Sequence, residues 1–294
     1  MNPRLYAGID AGGTTFKCIV GAGPESILAE QSVEVSRPDQ TLAACKDFFM
    51  AAKSKFGEPS KFGLASFGPL DLHPTSTSYG FITSTPKPHW QNTNLVGYFR
   101  DALGLPIEFE TDVNAALLAE QRWGSAQGLH SAVYVTIGTG VGAGVMLNGH
   151  LVHGAMHAEA GHMLIPKHSD DRFHGVCPYH GACLEGLASG PALAERWQCN
   201  PKDLEDDHPA WQLQAHYLAA MCVNLALMYS PQKIILGGGV MQRSKLLKYI
   251  RRSYLAQMNS YLGGQTDHVE RFIVDAALGS RAGALGALAL AQIE

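Results

Sequence analysis

Short blocks of alternating apolar residues, separated by glycine-rich turns, recur along the chain. Two of these blocks share one layout: LYAGIDAGGTTFKCIVGAG at 5–23 and AVYVTIGTGVGAGVMLNGH at 132–150. Each begins with an apolar pattern typical of a strand, turns through Gly and Thr, and continues as a second apolar strand. In the later block Asn148 and Gly149 are typical of a hairpin turn, which predicts a third short strand. The chain therefore contains a weak internal repeat.

The segments that follow the two blocks also match. After the first block the pattern predicts a strand near 28–34, a helix at 38–56, a strand at 61–66, a helix at 94–103, a strand at 106–110 and a helix at 112–123. After the second it predicts a helix at 209–230, a strand at 233–238, a helix near 242–259, a strand at 271–276 and a helix at 281–293. Prolines at helix starts and glycines past helix ends support several of these boundaries.

Two βββαβαβα units in tandem indicate an α/β protein that resembles the actin-like ATPase (ribonuclease H-like) fold, with two similar domains around a cleft. A simple doubly wound fold would instead form one sheet with alternating strands and helices. We expect an N-terminal domain at 1–111, with the C-terminal helix at 281–294 packing back on it. We expect a C-terminal domain at 112–280 that carries an insert at about 154–208.

Composition narrows the function classes. The 294 residues are 46% hydrophobic and 16% charged, with a formal net charge of −4, which argues against a general nucleic-acid binder. A basic cluster on one predicted helix is interpreted as a solvated face: Arg243, Lys245, Lys248, Arg251 and Arg252. The sequence lacks an uninterrupted apolar run of membrane-spanning length and a signal-peptide pattern, so we expect a cytoplasmic protein without a membrane partner.

The first glycine-rich turn, GIDAGGTTFK at 8–17, has the composition of a phosphate-binding loop. Glycines allow backbone N–H groups to approach phosphate oxygens, threonines add hydroxyl donors, and an aspartate at a strand end can hold Mg²⁺ through water. A tight hairpin turn without a ligand explains the same residues. The candidate binding residues are Asp10, Gly12, Gly13, Thr14, Thr15 and Lys17.

A second turn of this kind, TIGTGVGAG at 136–144, occupies the equivalent place in the other repeat, and a third glycine run lies at 236–241. Two facing phosphate clamps and a loop that accepts a flat base indicate nucleotide binding. The chain contains neither a P-loop motif nor a dinucleotide fingerprint in its βαβ context. The candidate residues are Thr136, Gly138, Thr139, Gly140, Gly237, Gly238, Gly239, Val240 and Met241.

Asp112 lies where a predicted strand ends and a predicted helix begins. A carboxylate at a rigid strand end suits the base that takes the acceptor proton in phosphoryl transfer. The same position suits a helix N-cap, because an aspartate there accepts backbone N–H bonds. Both interpretations stay open from the local sequence.

CPYHGAC at 177–183 places Cys177, His180 and Cys183 at spacings of three, which suits a tetrahedral zinc site. A fourth ligand is needed, and the sequence offers three histidines as candidates: His162, His168 and His174. A chance grouping of sulfur and nitrogen side chains in one loop is the alternative.

Motifs spread over nearly the whole chain resemble the ROK sugar kinases, and within them the bacterial fructokinase type. The matching segments are GIDAGGTTFK, SFGPLDL at 66–72, TSTPKPHW at 83–90, TDVNAA at 111–116, TIGTGVGAG, EAGH at 159–162, CPYHGACLEGLASGPA at 177–192 and GGGVM at 237–241. EAGH followed by a Cys/His cluster that ends in CLEG is the most specific combination among them.

The resemblance implies an ATP-dependent fructokinase with Asp112 as the general base and Mg-ATP as the phosphoryl donor. It makes His162 the fourth zinc ligand, so the zinc is structural, and it assigns sugar contacts to His162, Glu159 and Glu185. It also implies that Pro191 lies near the loop for adenosine and that the protein forms a homodimer.

Two departures from the family pattern affect the sugar assignment. Thr111, a candidate sugar contact, stands where the commoner motif has Asn, and STPKPHW at 84–90 replaces a loop that carries Asn in glucose-type members. In this loop Lys87 and Trp90 are candidate sugar contacts, with a loop salt bridge and a core aromatic as the alternatives.

Three rival functions remain. A kinase for mannose, glucose or an N-acetylhexosamine is the first. The second is a sugar-sensing ROK regulator, which would carry an extra N-terminal helix-turn-helix, whereas the first predicted strand starts by about residue 5. A zinc hydrolase is the third, and it would need an open metal position.

Overall fold

The computed structural model describes residues 4–263 and 267–293, and the chain divides into two compact units. The first unit contains Met1–Gln127, Val152–Ala158 and Arg281–Glu294, and the second contains Gly128–Leu151 and Glu159–Ser280. The C-terminal segment thus belongs to the first unit. The units differ from the predicted domains because residues 112–127 and 152–158 also belong to the first unit.

The strands fall in two groups along the chain. They are β1 (Tyr6–Ala11), β2 (Thr15–Gly21), β3 (Ile27–Glu34), β4 (Phe62–Ser66), β5 (Phe81–Ile82), β6 (Thr93–Asn94), β7 (Ile107–Thr111), β8 (Ala132–Ile137), β9 (Val141–Leu147), β10 (His150–Leu151), β11 (Lys233–Gly237) and β12 (Ile273–Asp275).

The α-helices lie between and after these strands. They are α1 (Pro38–Phe56), α2 (Leu95–Leu103), α3 (Asp112–Trp123), α4 (Leu184–Ala188), α5 (Gly190–Trp197), α6 (Pro209–Tyr229), α7 (Leu246–Met258), α8 (Val269–Phe272) and α9 (Ala282–Leu290). None of the helices in the described part of the chain combines the length and apolar character that crossing a membrane requires.

Each unit contains a five-stranded mixed sheet, and the two sheets have the same topology. The first has the order β3-β2-β1-β4-β7, and the second has the order β10-β9-β8-β11-β12. In the first sheet β1 pairs antiparallel with β2 and parallel with β4, and β7 is parallel to β4. In the second sheet β8 pairs antiparallel with β9 and parallel with β11, and β12 is parallel to β11. This confirms the internal repeat predicted from the sequence.

Close packing of α9 on the first sheet explains why the C-terminal segment belongs to the first unit. At Gly63 of β4 an added Cβ would lie 1.9 Å from the backbone oxygen of Ala287, and at Gly8 of β1 it would lie 2.7 Å from the Ala287 Cβ. Only a residue without a side chain allows the helix and strand backbones to approach this closely. Gly286 of the same helix packs in the same way against the backbone of Ala115 in α3.

The sequence-based prediction is wrong in detail near residue 271. Residues 269–272 form the short helix α8, and the strand begins only at Ile273. Val269 and Phe272, three residues apart, are both buried, which is the spacing of one helical face. The helix predicted to begin near 242 begins at Leu246, after a 3-10 turn at Gly239–Gln242.

Candidate functional site

The turn between β1 and β2 exposes backbone in the first unit. Gly12 N donates to Thr15 O at 3.1 Å, and Gly13 and Thr14 are exposed. Asp10 at the end of β1 pairs in register with Lys17 of β2. Burial raises the pKa of the Asp10 carboxyl to about 6, against the opposing effect of the Lys17 charge. The turn therefore combines the exposed residues Gly13 and Thr14 with a carboxylate at the strand end.

At the β7–α3 junction the structure shows which residue caps helix α3. The N-cap of α3 is Thr111, whose side-chain oxygen accepts the Asn114 N–H at 3.3 Å. The prediction of Asp112 as the N-cap is therefore wrong, because Asp112 is already the first helical residue. Its Oδ1 accepts the adjacent Val113 N–H at 2.9 Å, and its side chain is partly exposed while Thr111 is buried.

A polar cluster directly beside Asp112 was missed by the sequence analysis. The buried Glu110 carboxylate lies 2.7 Å from His153 Nε2, and it accepts the Thr111 N–H at 2.7 Å and an Asn114 side-chain N–H at 3.1 Å. Glu110 immediately precedes the Thr111–Asp112 pair, which was the available signal. His153 comes from a distant segment with no local pattern that points to this contact.

Trp90 belongs to the core of the first unit. It is fully buried, its Nε1 donates to the Ser36 backbone oxygen at 2.9 Å, and its ring centroid lies 5.1 Å from that of Phe16. Of the two interpretations of Trp90, the core aromatic is confirmed.

In the second unit the turn between β8 and β9 lies against two other candidate segments. Gly138 N donates to Gly140 O at 2.9 Å, and Gly138 O accepts the Gly190 N–H at 2.7 Å. Gly238 has a φ of 91°, and a Cβ there would lie 2.3 Å from the Ile137 backbone oxygen. The glycine run at 237–241 is thus packed directly against the predicted phosphate turn.

The first turn of α5 completes this group. Its second residue is Pro191, which is exposed, and a Cβ at Gly190 would lie 3.1 Å from Gly138 O and 3.9 Å from a Val240 methyl group. The structure therefore brings together Thr136, Gly138, Thr139, Gly140, Pro191 and Gly237–Met241, which the sequence distributes over a hundred residues.

Four side chains of the insert converge on one point: His162, Cys177, His180 and Cys183, whose ligand atoms all lie within 4.8 Å of one another. The His162 Nδ1 lies 3.5 Å from Cys183 Sγ and 3.6 Å from Cys177 Sγ, and His180 Nδ1 lies 3.7 Å from Cys177 Sγ. In a tetrahedron with zinc bonds of about 2.3 Å to sulfur and about 2.0–2.1 Å to nitrogen, these donors are about 3.6 Å apart. The donor set and its spacing therefore fit zinc.

Two carboxylates lie beside this cluster. Glu185, in the first turn of α4, accepts the Val141 N–H at 2.9 Å through Oε2, which connects the segment after the Cys/His cluster to the β8–β9 turn of the same unit. The net pKa of the Glu159 carboxyl is raised, because burial raises it by more than the His162 charge lowers it. The nearby Glu185 carboxylate also raises this pKa. Glu159 directly precedes the 3-10 turn that carries His162.

Comparison with known proteins agrees with the motifs. Residues 6–294 match the ROK family. The chain is 43% identical to a fructokinase of Zymomonas mobilis subsp. mobilis, covering 98% of this chain and 96% of the relative, and 39% identical to a fructokinase of Pediococcus pentosaceus, covering 98% of both.

Among solved structures, a ROK family glucokinase from Streptomyces griseus in complex with glucose and AMPPNP aligns with a TM-score of 0.76 and 25% identity. The alignment covers 98% of this chain and 99% of the glucokinase. The fold, the arrangement of the glycine turns and the length of chain matched all agree with the family match, and the chain belongs to the ROK family.

Proposed function

We propose that this protein is an ATP-dependent fructokinase, which converts D-fructose and ATP to D-fructose 6-phosphate and ADP. The observation that carries the proposal is the 43% identity to a fructokinase over 98% of the chain. The solved relative with glucose and AMPPNP supports a sugar and an adenine nucleotide as the two substrates.

In this proposal Asp112 takes the proton from the primary hydroxyl of the sugar. Its position at the start of α3, directly after a buried strand, gives the carboxylate the fixed placement that a general base needs. Because Thr111 caps the helix, Asp112 is not required for that role. Thr111 is proposed to contact the sugar beside Asp112.

The glycine turns are assigned to the nucleotide. Magnesium bound to ATP supplies charge neutralisation for the transferred phosphoryl group. Asp10 would hold that ion through water, with Lys17 and the backbone of 12–15 contacting phosphate oxygens. In the second unit, the turn at 136–140 would contact phosphates, and Pro191 with Gly237–Met241 would contact the adenosine.

Zinc is assigned a structural role at His162, Cys177, His180 and Cys183. Four protein donors fill a tetrahedral shell, so a bound water for hydrolysis has no place there. Because the His162 Nδ1 faces the sulfurs, its other ring nitrogen is directed away from the metal. We assign that nitrogen, together with Glu159 and Glu185, to contacts with sugar hydroxyls.

The test is ADP release from Mg-ATP with fructose, mannose, glucose and N-acetylglucosamine, for the wild type and Asp112→Asn. We expect turnover to be highest on fructose and to fall about 10²–10⁴-fold in the variant, because a general base is lost. Asp101→Asn, an exposed change on α2, is the matched control and should leave turnover unchanged.

If another sugar is preferred, the kinase assignment stands and the assignment of fructose as the substrate is wrong. No turnover on any sugar by the zinc-loaded wild type would overturn the kinase itself and favour a regulator. The homodimer remains a prediction, and light scattering of the purified protein would test it.

A further inference from the structure

The Glu110 carboxylate is the centre of a polar cluster in the first unit. Its side chain is 7% exposed, and three N–H groups reach its two oxygens. Oε1 accepts from Thr111 N at 2.7 Å and from Asn114 Nδ2 at 3.1 Å, while Oε2 lies 2.7 Å from His153 Nε2. These bonds attach the strand end, the first turn of α3 and the segment at 152–158 to one carboxylate.

The chemistry of the three groups fixes their roles. A carboxylate accepts, so the His153 Nε2 within 2.7 Å of it must carry a hydrogen and donate. The Asn114 Nδ2 lies 3.4 Å from the same ring nitrogen, but both atoms are donors, so this contact is not a hydrogen bond. Glu110 is therefore the common acceptor, and His153 supplies the partner of Oε2.

The proposed function places Asp112 two residues after Glu110. We propose that His153 is a positioning residue for the Asp112 general base, acting through Glu110 on the β7–α3 turn. The inference rests on the proposed kinase reaction for its catalytic meaning. His153 itself would not touch the reacting atoms.

The physical reason is the cost of a buried acceptor that loses its donor. Without His153, the Glu110 Oε2 has lost a short hydrogen bond in a nearly water-free position, and the carboxylate gains by turning toward solvent. Such a movement pulls on the Thr111 N–H and the Asn114 side chain, and these two residues form the N-cap bond at the start of α3. A displacement of about 1 Å in a catalytic group costs on the order of 100-fold in rate.

The first test is the kinetics of His153→Ala and His153→Gln on the best sugar of the wild type. We expect the alanine variant to lose about 10-fold to 100-fold in kcat, with the KM for ATP changed less than about twofold. The glutamine side chain can donate from a similar position and should restore most of kcat. His150→Ala, another exposed histidine, is the control.

A double-mutant cycle with Glu110→Gln then tests whether His153 acts through Glu110. If it does, adding His153→Ala to Glu110→Gln lowers kcat little further. Multiplicative losses, a glutamine variant as slow as the alanine variant, or an unchanged kcat in His153→Ala would overturn the proposal.

A second measurement does not depend on activity. Amide hydrogen exchange of a peptide covering 109–116 should be faster in His153→Ala than in wild type and His153→Gln, with exchange unchanged in peptides distant from this turn. If the wild type phosphorylates no sugar, the proposed function fails by itself, and this exchange result still decides whether His153 positions the turn. Unchanged exchange would overturn the positioning.

Discussion

The glycine turns of the two units are equivalent in topology but are supported differently. In the first unit Gly12 N donates to Thr15 O within the hairpin, and the Thr14 and Ala11 oxygens accept the N–H groups of Val35, after β3, and Phe67, after β4. In the second unit, Gly138 O also accepts the Gly190 N–H, and the Val141 N–H is held by the Glu185 carboxylate. One turn is supported by its own hairpin and by backbone groups that follow two strands of its sheet, whereas the other is also supported by an insert that its counterpart lacks.

The difference shows what the insert adds to a repeated scaffold. Cys183 lies in the metal-ligand cluster and is the residue before α4, whose first turn carries Glu185. Gly190, which supports the other side of the turn, begins α5. Zinc bound at the proposed site would fix the start of the segment that holds the second turn, so the second unit should depend on the cluster far more than the first.

The largest expected effect comes from removing a metal ligand. Cys183→Ser should release zinc, lower the unfolding temperature and abolish kinase activity, because metal binding contributes directly to folding and this Cys leads into α4. Metal content by atomic absorption, thermal unfolding and ADP release are the measurements. Cys199→Ser, at a cysteine outside the cluster, is the matched control and should keep all three. Full zinc content and wild-type stability in Cys183→Ser would contradict the structural role.

A smaller loss is expected at the buried ion pair of the insert. Asp171 lies 3.2 Å from the Arg196 guanidinium and accepts the Tyr217 hydroxyl at 2.6 Å, with both charged side chains nearly fully buried. Asp171→Asn should lower the free energy of unfolding by about 3–5 kcal/mol, because the guanidinium is left buried without a counter-charge. Denaturant unfolding at pH 7 measures it. Asp170→Asn, the exposed neighbour, should change little.

The same pair gives a pH dependence with a definite sign. Burial raises the pKa of the Asp171 carboxyl, but the hydrogen bonds from Tyr217 and the Phe173 backbone and the Arg196 charge outweigh it, so the net pKa is lowered. The unfolded state then binds the proton first, and the stability that Asp171 contributes is complete above its unfolded pKa of about 3.9 and lost as pH falls through the folded value. Asp171→Asn should lose this acid-dependent part of the unfolding curve. If the variant and the wild type lose stability equally as the pH falls, the attribution of this acid dependence to Asp171 is wrong.

Local sequence patterns were sufficient to predict the helices, turns and strand order of the scaffold. Pro38 and Gly57 flank α1, Asn148 and Gly149 connect β9 to β10, and the repeated order of strands was confirmed by both sheets. These features depend on neighbours along the chain, which periodicity and turn residues report directly. The Cys/His cluster was also predictable, because three of its four ligands lie within seven residues.

The contacts that support the site were not predictable in this way. Glu110 and His153 are 43 residues apart, and Glu185 and Val141 are 44 apart. No periodic signal connects such pairs, and each residue by itself is an ordinary polar residue in a strand or loop. Asp112 was predicted as a possible cap in place of Thr111, because the capping position shifts by one residue without changing the sequence pattern.

The smallest expected effect compares the two turns directly through Gly140→Ala and Gly13→Ala. A Cβ at Gly140 would lie 2.6 Å from the Glu185 Oε2, so the carboxylate that accepts the Val141 N–H must shift, whereas a Cβ at Gly13 meets nothing within 4 Å. We expect Gly140→Ala to lower the unfolding free energy by about 1–3 kcal/mol, the range for a lost charge-assisted hydrogen bond. Gly13→Ala should stay within about 0.5 kcal/mol of wild type. Denaturant unfolding of both variants decides, and equal losses would mean that the insert does not support the second turn.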